Sequence, residues 1–219
     1  MNTIKNNYNL LKEVYLPSGN IGTFIFENPN DYLKKIIKSF LIIISLYCSL
    51  YFIIFCINFQ SMNSLNKIMK VSYAEKGYST IRYIINSYPY NIWYLISFIF
   101  AFLIYQVCFS LILRIVFADR KSPLKMYISV CAHSFLYLIA ILFPILIINS
   151  LYPIHANSGL LEYSILVALW IIFISAGIIL SSAFFSKIIS ELFEENRYRA
   201  MLTWNLPIVT FVYLVIKNI

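Results

Sequence analysis

The stretch Ser39–Phe59, SFLIIISLYCSLYFIIFCINF, decides the fold of this chain. It holds 21 residues without a charged side chain. A helix needs about 20 apolar residues to cross the hydrocarbon core of a bilayer, so the stretch predicts a transmembrane helix. Lys34, Lys35 and Lys38 precede it, where lipid headgroups would lie. The sequence therefore predicts one continuous helix over residues 28–59, which begins before the membrane.

Four more apolar runs follow along the chain. They are Ile92–Leu113, Met126–Ile148, Tyr163–Ser186 and Ala200–Ile216. The last run has 17 residues and contains Pro207. The predicted fold is an all-α membrane protein, a bundle of five transmembrane helices.

The composition of the whole chain agrees with this class. Of 219 residues, 61% are hydrophobic and only 12% are charged, whereas a soluble domain has about 45–50% apolar and about 25% charged residues. We therefore expect residues 1–38 to form a cytosolic N-terminal segment with a pre-membrane helix. Residues 39–217 are expected to form the five-helix membrane domain.

Basic residues predict the orientation of the chain. With the N-terminus inside, the inner segments carry 12 Lys and Arg and the outer segments carry 5. Positive residues favour the cytosolic side, so the count predicts the N-terminus inside and the C-terminus outside. The net charge of +8 is interpreted as contact with the bilayer, through anionic lipid headgroups at the cytosolic face. Nucleic acid is not expected as a partner.

Cofactor and metal chemistry have little support in the sequence. The four cysteines all fall inside apolar runs, without CxxC spacing: Cys48, Cys56, Cys108 and Cys131. Apolar cysteines of this kind are ordinary core residues. We expect no cofactor, no metal and no disulfide.

A charged stretch before the last run contains EExxxR, as Glu194, Glu195 and Arg199. This pattern resembles the first motif of the CAAX-protease and bacteriocin-processing family. The two histidine motifs that complete that family's site, FxxxH and HxxxN/D, are missing around His133 and His155. We therefore expect no enzyme, no catalytic residues and a solvated loop in which the two glutamates lie near Arg197 and Arg199.

Polar residues inside the runs are the candidate functional groups. His133 is the one titratable side chain within a predicted span, and such a residue is a functional hypothesis by default. The predicted role is a neutral hydrogen-bond partner to Gln106, Asn205 or a serine, and the alternative is a proton relay or substrate site. Pro144 and Pro207 predict kinks, or freed carbonyls at a substrate site.

The fourth run carries small residues at helical spacing. Gly177 and Ser181 are four residues apart, as are Ser182 and Ser186. Small residues at this spacing let two helix backbones approach closely. They predict packing within the chain, and the alternative is a homo- or hetero-oligomer through the fourth span.

The whole layout resembles the bacterial branch of the Yip family, the Ypt/Rab-interacting membrane proteins. Four features support the resemblance: Asn28-Pro29 with Tyr32 before the first span, the short basic loop Asp119–Pro123, Trp170 within the fourth span, and the charged segment 187–199 before a short last span. The resemblance implies a non-enzymatic, multi-pass protein of the bacterial inner membrane with a membrane-organising or scaffold role. The alternative function is a permease or a membrane subunit of a transporter.

Overall fold

The computed structural model describes residues 2–16, 21–117, 123–151 and 159–217. The described part is helical and contains no strand. Its helices are α1 (Asn2–Tyr15), α2 (Ile21–Glu27), α3 (Pro29–Ile57), α4 (Phe59–Glu75), α5 (Thr80–Asn86), α6 (Asn91–Phe117), α7 (Leu124–Ala140), α8 (Leu142–Leu151), α9 (Leu160–Phe193) and α10 (Arg197–Lys217).

Four helical segments of the described residues are long and apolar enough to cross a membrane. They are Pro29–Ile57, Asn91–Val116, Leu124–Leu151 and Leu160–Phe193. These segments confirm an all-helical protein with the build of a multi-pass membrane protein. The fifth predicted span corresponds to α10, which is not among the four.

Helix α3 confirms the continuous helix that the sequence predicts around Ser39–Phe59. It begins at Pro29, because proline suits the first helical position, where its missing N–H has no intrahelical partner. At about 1.5 Å per residue, its 29 residues span about 43 Å, more than the hydrocarbon core of about 30 Å. Helix α3 is therefore longer than that core is thick.

The two prolines act differently. Helices α7 and α8 are separated at Ile141, because Pro144 has no N–H to donate to the carbonyl of Ala140 and its ring crowds that carbonyl. Helix α10 continues through Pro207. Near it, the Tyr105 hydroxyl donates to the Pro207 carbonyl at 3.2 Å.

The described contacts divide the chain into two compact units. One comprises Met1–Ile43, Phe102–Ile141 and Ile174–Ile219, and so includes α1, α2 and the beginning of α3. The N-terminal segment thus packs with membrane helices and not as a separate body. The largest fully buried side chain of this unit is Trp204 on α10. Its ring stacks on that of Phe185, with 4.8 Å between the ring centroids.

The second unit comprises Ile44–Ala101 and Leu142–Phe173. Its core is an apolar cluster of Tyr47, Tyr51, Ile54, Ile92 and Leu146. Helix α4 is joined to the segment before α6 by a reciprocal pair of hydrogen bonds. The Asn66 side-chain amide donates to the Tyr88 carbonyl at 2.8 Å and accepts from the Tyr88 N–H at 2.9 Å.

Candidate functional site

His133 on α7 lies at the junction of the N-terminal segment with the membrane helices. Its side chain is buried, with 1% exposed. One ring nitrogen, Nε2, is 2.8 Å from the Val14 carbonyl at the end of α1. The other, Nδ1, is hydrogen-bonded to the Tyr32 hydroxyl in the first turn of α3. A single side chain therefore joins α7 to the end of α1 and to the first turn of α3.

These partners determine the tautomer of the ring. A carbonyl oxygen can only accept, so Nε2 carries the proton and donates to Val14. Nδ1 then accepts from the Tyr32 hydroxyl. Because one N–H donor and one lone pair both find partners, neutral imidazole matches this environment without leaving a polar atom unpaired.

Aromatic rings enclose the imidazole. The Phe184 ring centroid of α9 lies 4.1 Å from that of His133, and the Tyr137 ring lies parallel to it at 5.9 Å. The Tyr32 ring is 5.8 Å away. We call His133, Tyr32, Val14, Tyr137 and Phe184 the histidine junction.

Helix α1 has further contacts beside the histidine junction. The Tyr15 hydroxyl donates to the Leu136 carbonyl at 3.0 Å, and the Tyr137 hydroxyl donates to the Tyr15 carbonyl at 3.4 Å. Burial, and then the neighbouring Tyr137, raise the pKa of the Tyr15 phenol well above its ordinary value, so it stays a neutral donor. Lys35 and Glu13 form an ion pair on the exposed side.

The structure corrects the partners expected for His133. Gln106 donates from Nε2 to the Trp204 carbonyl at 2.7 Å, and Asn205 donates from Nδ2 to Ser182 Oγ at 2.8 Å. Neither is a hydrogen-bond partner of His133, which turns to α1 and α3. The expectation failed because it considered only the membrane runs and left out the N-terminal segment.

The small residues of the fourth span contact the chain's own helices. Ser181 Oγ accepts the Trp204 indole N–H at 3.1 Å, and Ser182 accepts from Asn205. Ser186 donates to the Ala183 carbonyl within α9. A Cβ on Gly177 would lie 1.4 Å from Ile141 Cδ1. These contacts join α9 to α10 and to Ile141, directly after α7, within one chain.

We expect Gly177→Leu to lower the free energy of unfolding by about 1–3 kcal/mol, the usual range for overpacking. The added side chain must displace Ile141, whose Cγ1 would be only 2.6 Å from a Cβ at this position. Titration with a denaturing detergent in mixed micelles measures the change. Ile179→Leu, at an exposed position of the same helix, is the control and should change little. Equal effects of the two substitutions would contradict the close approach.

The EExxxR stretch is not simply a solvated loop. Glu195 is 10% exposed and its Oε2 lies 3.7 Å from a guanidinium nitrogen of Arg114, which is 5% exposed. The chain turns back here because Glu194 adopts a left-handed conformation with φ 52°. Asn196 then accepts the Tyr198 N–H at 2.9 Å and caps α10.

Arg114 is the residue that the sequence analysis missed. The predicted second run ends at Leu113, directly before this residue, whereas α6 continues to Phe117. The signal was present, since Ile115-Val116-Phe117 continues the apolar run beyond the charge. Among the described residues, no group of three or more His, Cys, Asp and Glu could hold a metal ion. His155 lies outside the described residues.

Comparisons of the chain with protein-family models, with curated proteins and with solved structures gave no match.

Proposed function

We propose that this chain is a non-enzymatic, multi-pass membrane protein with a membrane-organising or scaffold role, like the Yip family that it resembles. The histidine junction is the observation that favours this role. The one histidine inside the four spans of the described part uses both ring nitrogens to hold α1 and α3. A group engaged in this way serves to position the N-terminal segment.

The proposal includes a topology. We place the N-terminus in the cytosol of a bacterium, the spans in its inner membrane and α10 as a fifth crossing with the C-terminus outside. The 12-to-5 distribution of basic residues supports this orientation. The 21 residues of α10 would extend about 31 Å, enough for the hydrocarbon core.

Reporter fusions after Asn30 and after Ile219 test the topology. We expect the first to report the cytosol and the second the outside. Fusions to the connections before α6 and before α9 provide internal controls. If both termini report the same side, α10 does not cross the membrane.

Complementation tests the function. Cells that lack the gene would be supplied with wild type, His133→Gln or His133→Leu, and the cell envelope would be imaged by electron cryotomography. If the protein organises the membrane, the shape of the cell envelope should depend on how much folded protein the membrane contains. A His133→Gln variant that accumulates to the wild-type level should therefore restore the wild-type envelope shape. A Gln variant that accumulates but fails to restore any function would contradict the proposal.

A permease or transporter subunit is the second candidate. Two buried acceptors favour it, because Gln106 Oε1 and Asn205 Oδ1 have no hydrogen-bond partner in the part of the chain that the structure describes. Buried polar atoms of this kind can face a substrate path. If this function is correct, Gln106→Met and Asn205→Leu should abolish activity in protein that still folds, whereas a scaffold should tolerate them in proportion to stability.

The proposal includes two kinds of binding partner, which are lipid headgroups and further protein chains. We expect anionic headgroups to contact the basic segments at the cytosolic face. An oligomer through the fourth span would have to use a face of α9 other than the one occupied by Trp204 and Ile141.

A further inference from the structure

Three side chains on α6 and in the turn after α9 carry buried polar atoms. Ser110 and Arg114 lie one turn apart on α6, and Glu195 lies in the turn between α9 and α10. Among the described residues, Ser110 Oγ, all three guanidinium nitrogens of Arg114 and Glu195 Oε1 have no hydrogen-bond partner. We call these three residues the arginine site.

The closest charged pair in the arginine site is not a hydrogen bond. Arg114 and Glu195 are 3.7 Å apart, which is longer than a charge-assisted hydrogen bond of about 2.7–2.9 Å. The charges compensate each other, while the donors and the acceptor remain open. Buried polar groups in proteins nearly always have hydrogen-bond partners, including water or a ligand. The unpaired atoms of the arginine site therefore indicate that water or a ligand is bound there.

Aromatic rings determine how a ligand could approach. The guanidinium carbon lies 4.7 Å from the Tyr127 ring centroid and 4.2 Å from that of Phe193. Both rings lie against the guanidinium group, so a ligand can reach Arg114 only through N–H groups that the rings do not cover. A ligand must therefore bring acceptor oxygens to the edge of Arg114.

The chemistry of the three residues selects a zwitterion. Arg114 requires acceptors, Glu195 Oε1 requires a donor, and the pair together carries no net charge. A phosphate ester that bears a primary ammonium group offers both, with phosphate oxygens for Arg114 and Ser110 and ammonium protons for Glu195. Arg114 lies in the last turn of one span and Tyr127 in the first turn of the next, where lipid headgroups are found.

We propose that the arginine site binds the headgroup of an aminophospholipid such as phosphatidylethanolamine. The phosphate contacts Arg114 and Ser110, and the ammonium group contacts Glu195. This inference concerns a different site from the histidine junction and holds whichever function the protein has.

Native mass spectrometry of the delipidated protein in detergent tests the lipid preference. We expect phosphatidylethanolamine to bind about tenfold more tightly than phosphatidylcholine or phosphatidylglycerol, a difference of about 1.4 kcal/mol. Phosphatidylcholine lacks ammonium N–H donors and phosphatidylglycerol lacks the ammonium group. Equal binding of the three lipids would overturn the proposal and leave water as the occupant. Binding of free phosphoethanolamine as tight as that of the lipid would assign the site to a soluble ligand.

Variants locate the binding to the three residues. Glu195→Gln should remove most of the preference over phosphatidylcholine, and Arg114→Lys should weaken phosphatidylethanolamine about tenfold. The matched controls are Glu191→Gln and Arg199→Gln, both at exposed positions of the same region, and they should bind as wild type. If Arg114→Lys fails to fold, the proposal is still tested by the lipid preference of the isosteric Glu195→Gln variant and by the binding of the three lipids to wild type. Unchanged lipid preference in folded Glu195→Gln would refute the site.

Discussion

Trp204→Ala should lower the free energy of unfolding by about 3–5 kcal/mol, the range for deleting a buried aromatic side chain. Trp204 is completely buried and stacks on Phe185 of α9. Its indole N–H donates to Ser181 Oγ. The substitution therefore removes a ring, a ring contact and a hydrogen bond between α9 and α10 in one step. Titration with a denaturing detergent in mixed micelles measures the loss.

Two further variants separate the causes. Trp204→Phe keeps a ring against Phe185 but loses the indole donor, and it should cost about 1–2 kcal/mol for the hydrogen bond and the smaller ring. Leu202→Ala, two residues away and largely exposed, should stay within about 0.5 kcal/mol of wild type. If Trp204→Ala behaves like Leu202→Ala, α10 does not pack on α9 as described.

His133→Leu should be the second most damaging change, at about 2–4 kcal/mol. Leucine fills much of the space but offers neither donor nor acceptor. It leaves the Val14 carbonyl and the Tyr32 hydroxyl buried without partners, and leaving a buried polar group unpaired costs about 1–3 kcal/mol. The Val14 carbonyl can regain a hydrogen-bond partner only if the end of α1 detaches and becomes exposed to water.

Hydrogen exchange of the α1 backbone amides measures directly whether His133 holds α1 in place. In His133→Leu, the amides of Asn2–Tyr15 should exchange faster, while those of α9 change little. His133→Gln can keep one hydrogen bond and should fall between Leu and wild type. Tyr32→Phe removes one bond and should match the Gln variant in size. Unchanged exchange in α1 of the Leu variant would show that His133 does not hold the N-terminal segment.

Hydrogen bonds and close backbone contacts act together with apolar packing to position the helices of this protein. Apolar side chains gain little by leaving lipid for a protein interior, since lipid tails are as apolar as leucine. Hydrogen bonds from His133, Gln106 and Asn205, and the close approach at Gly177, give the helices specific positions. These residues were all visible in the sequence as exceptions within apolar runs.

Sequence alone predicted the all-helical class of the protein and the location of its four long apolar helices. Runs of about 20 apolar residues have one stable solution in a bilayer, because only a helix satisfies every backbone polar group internally. The boundaries of α3 and the interruption caused by Pro144 follow from local chemistry. So does the small-residue character of α9 around Gly177, since spacing along a helix is a property of the sequence.

Only the tertiary structure decided which polar groups meet. His133 pairs with Val14 and Tyr32, 119 and 101 residues away in the chain, and no local pattern encodes such a distance. Glu195 looked solvated because its neighbours in sequence are polar, yet the chain turns at Glu194 and brings it to Arg114. The physical reason is the same in both cases: hydropathy reports which surface a residue prefers, whereas its partner depends on how the helices are arranged in space.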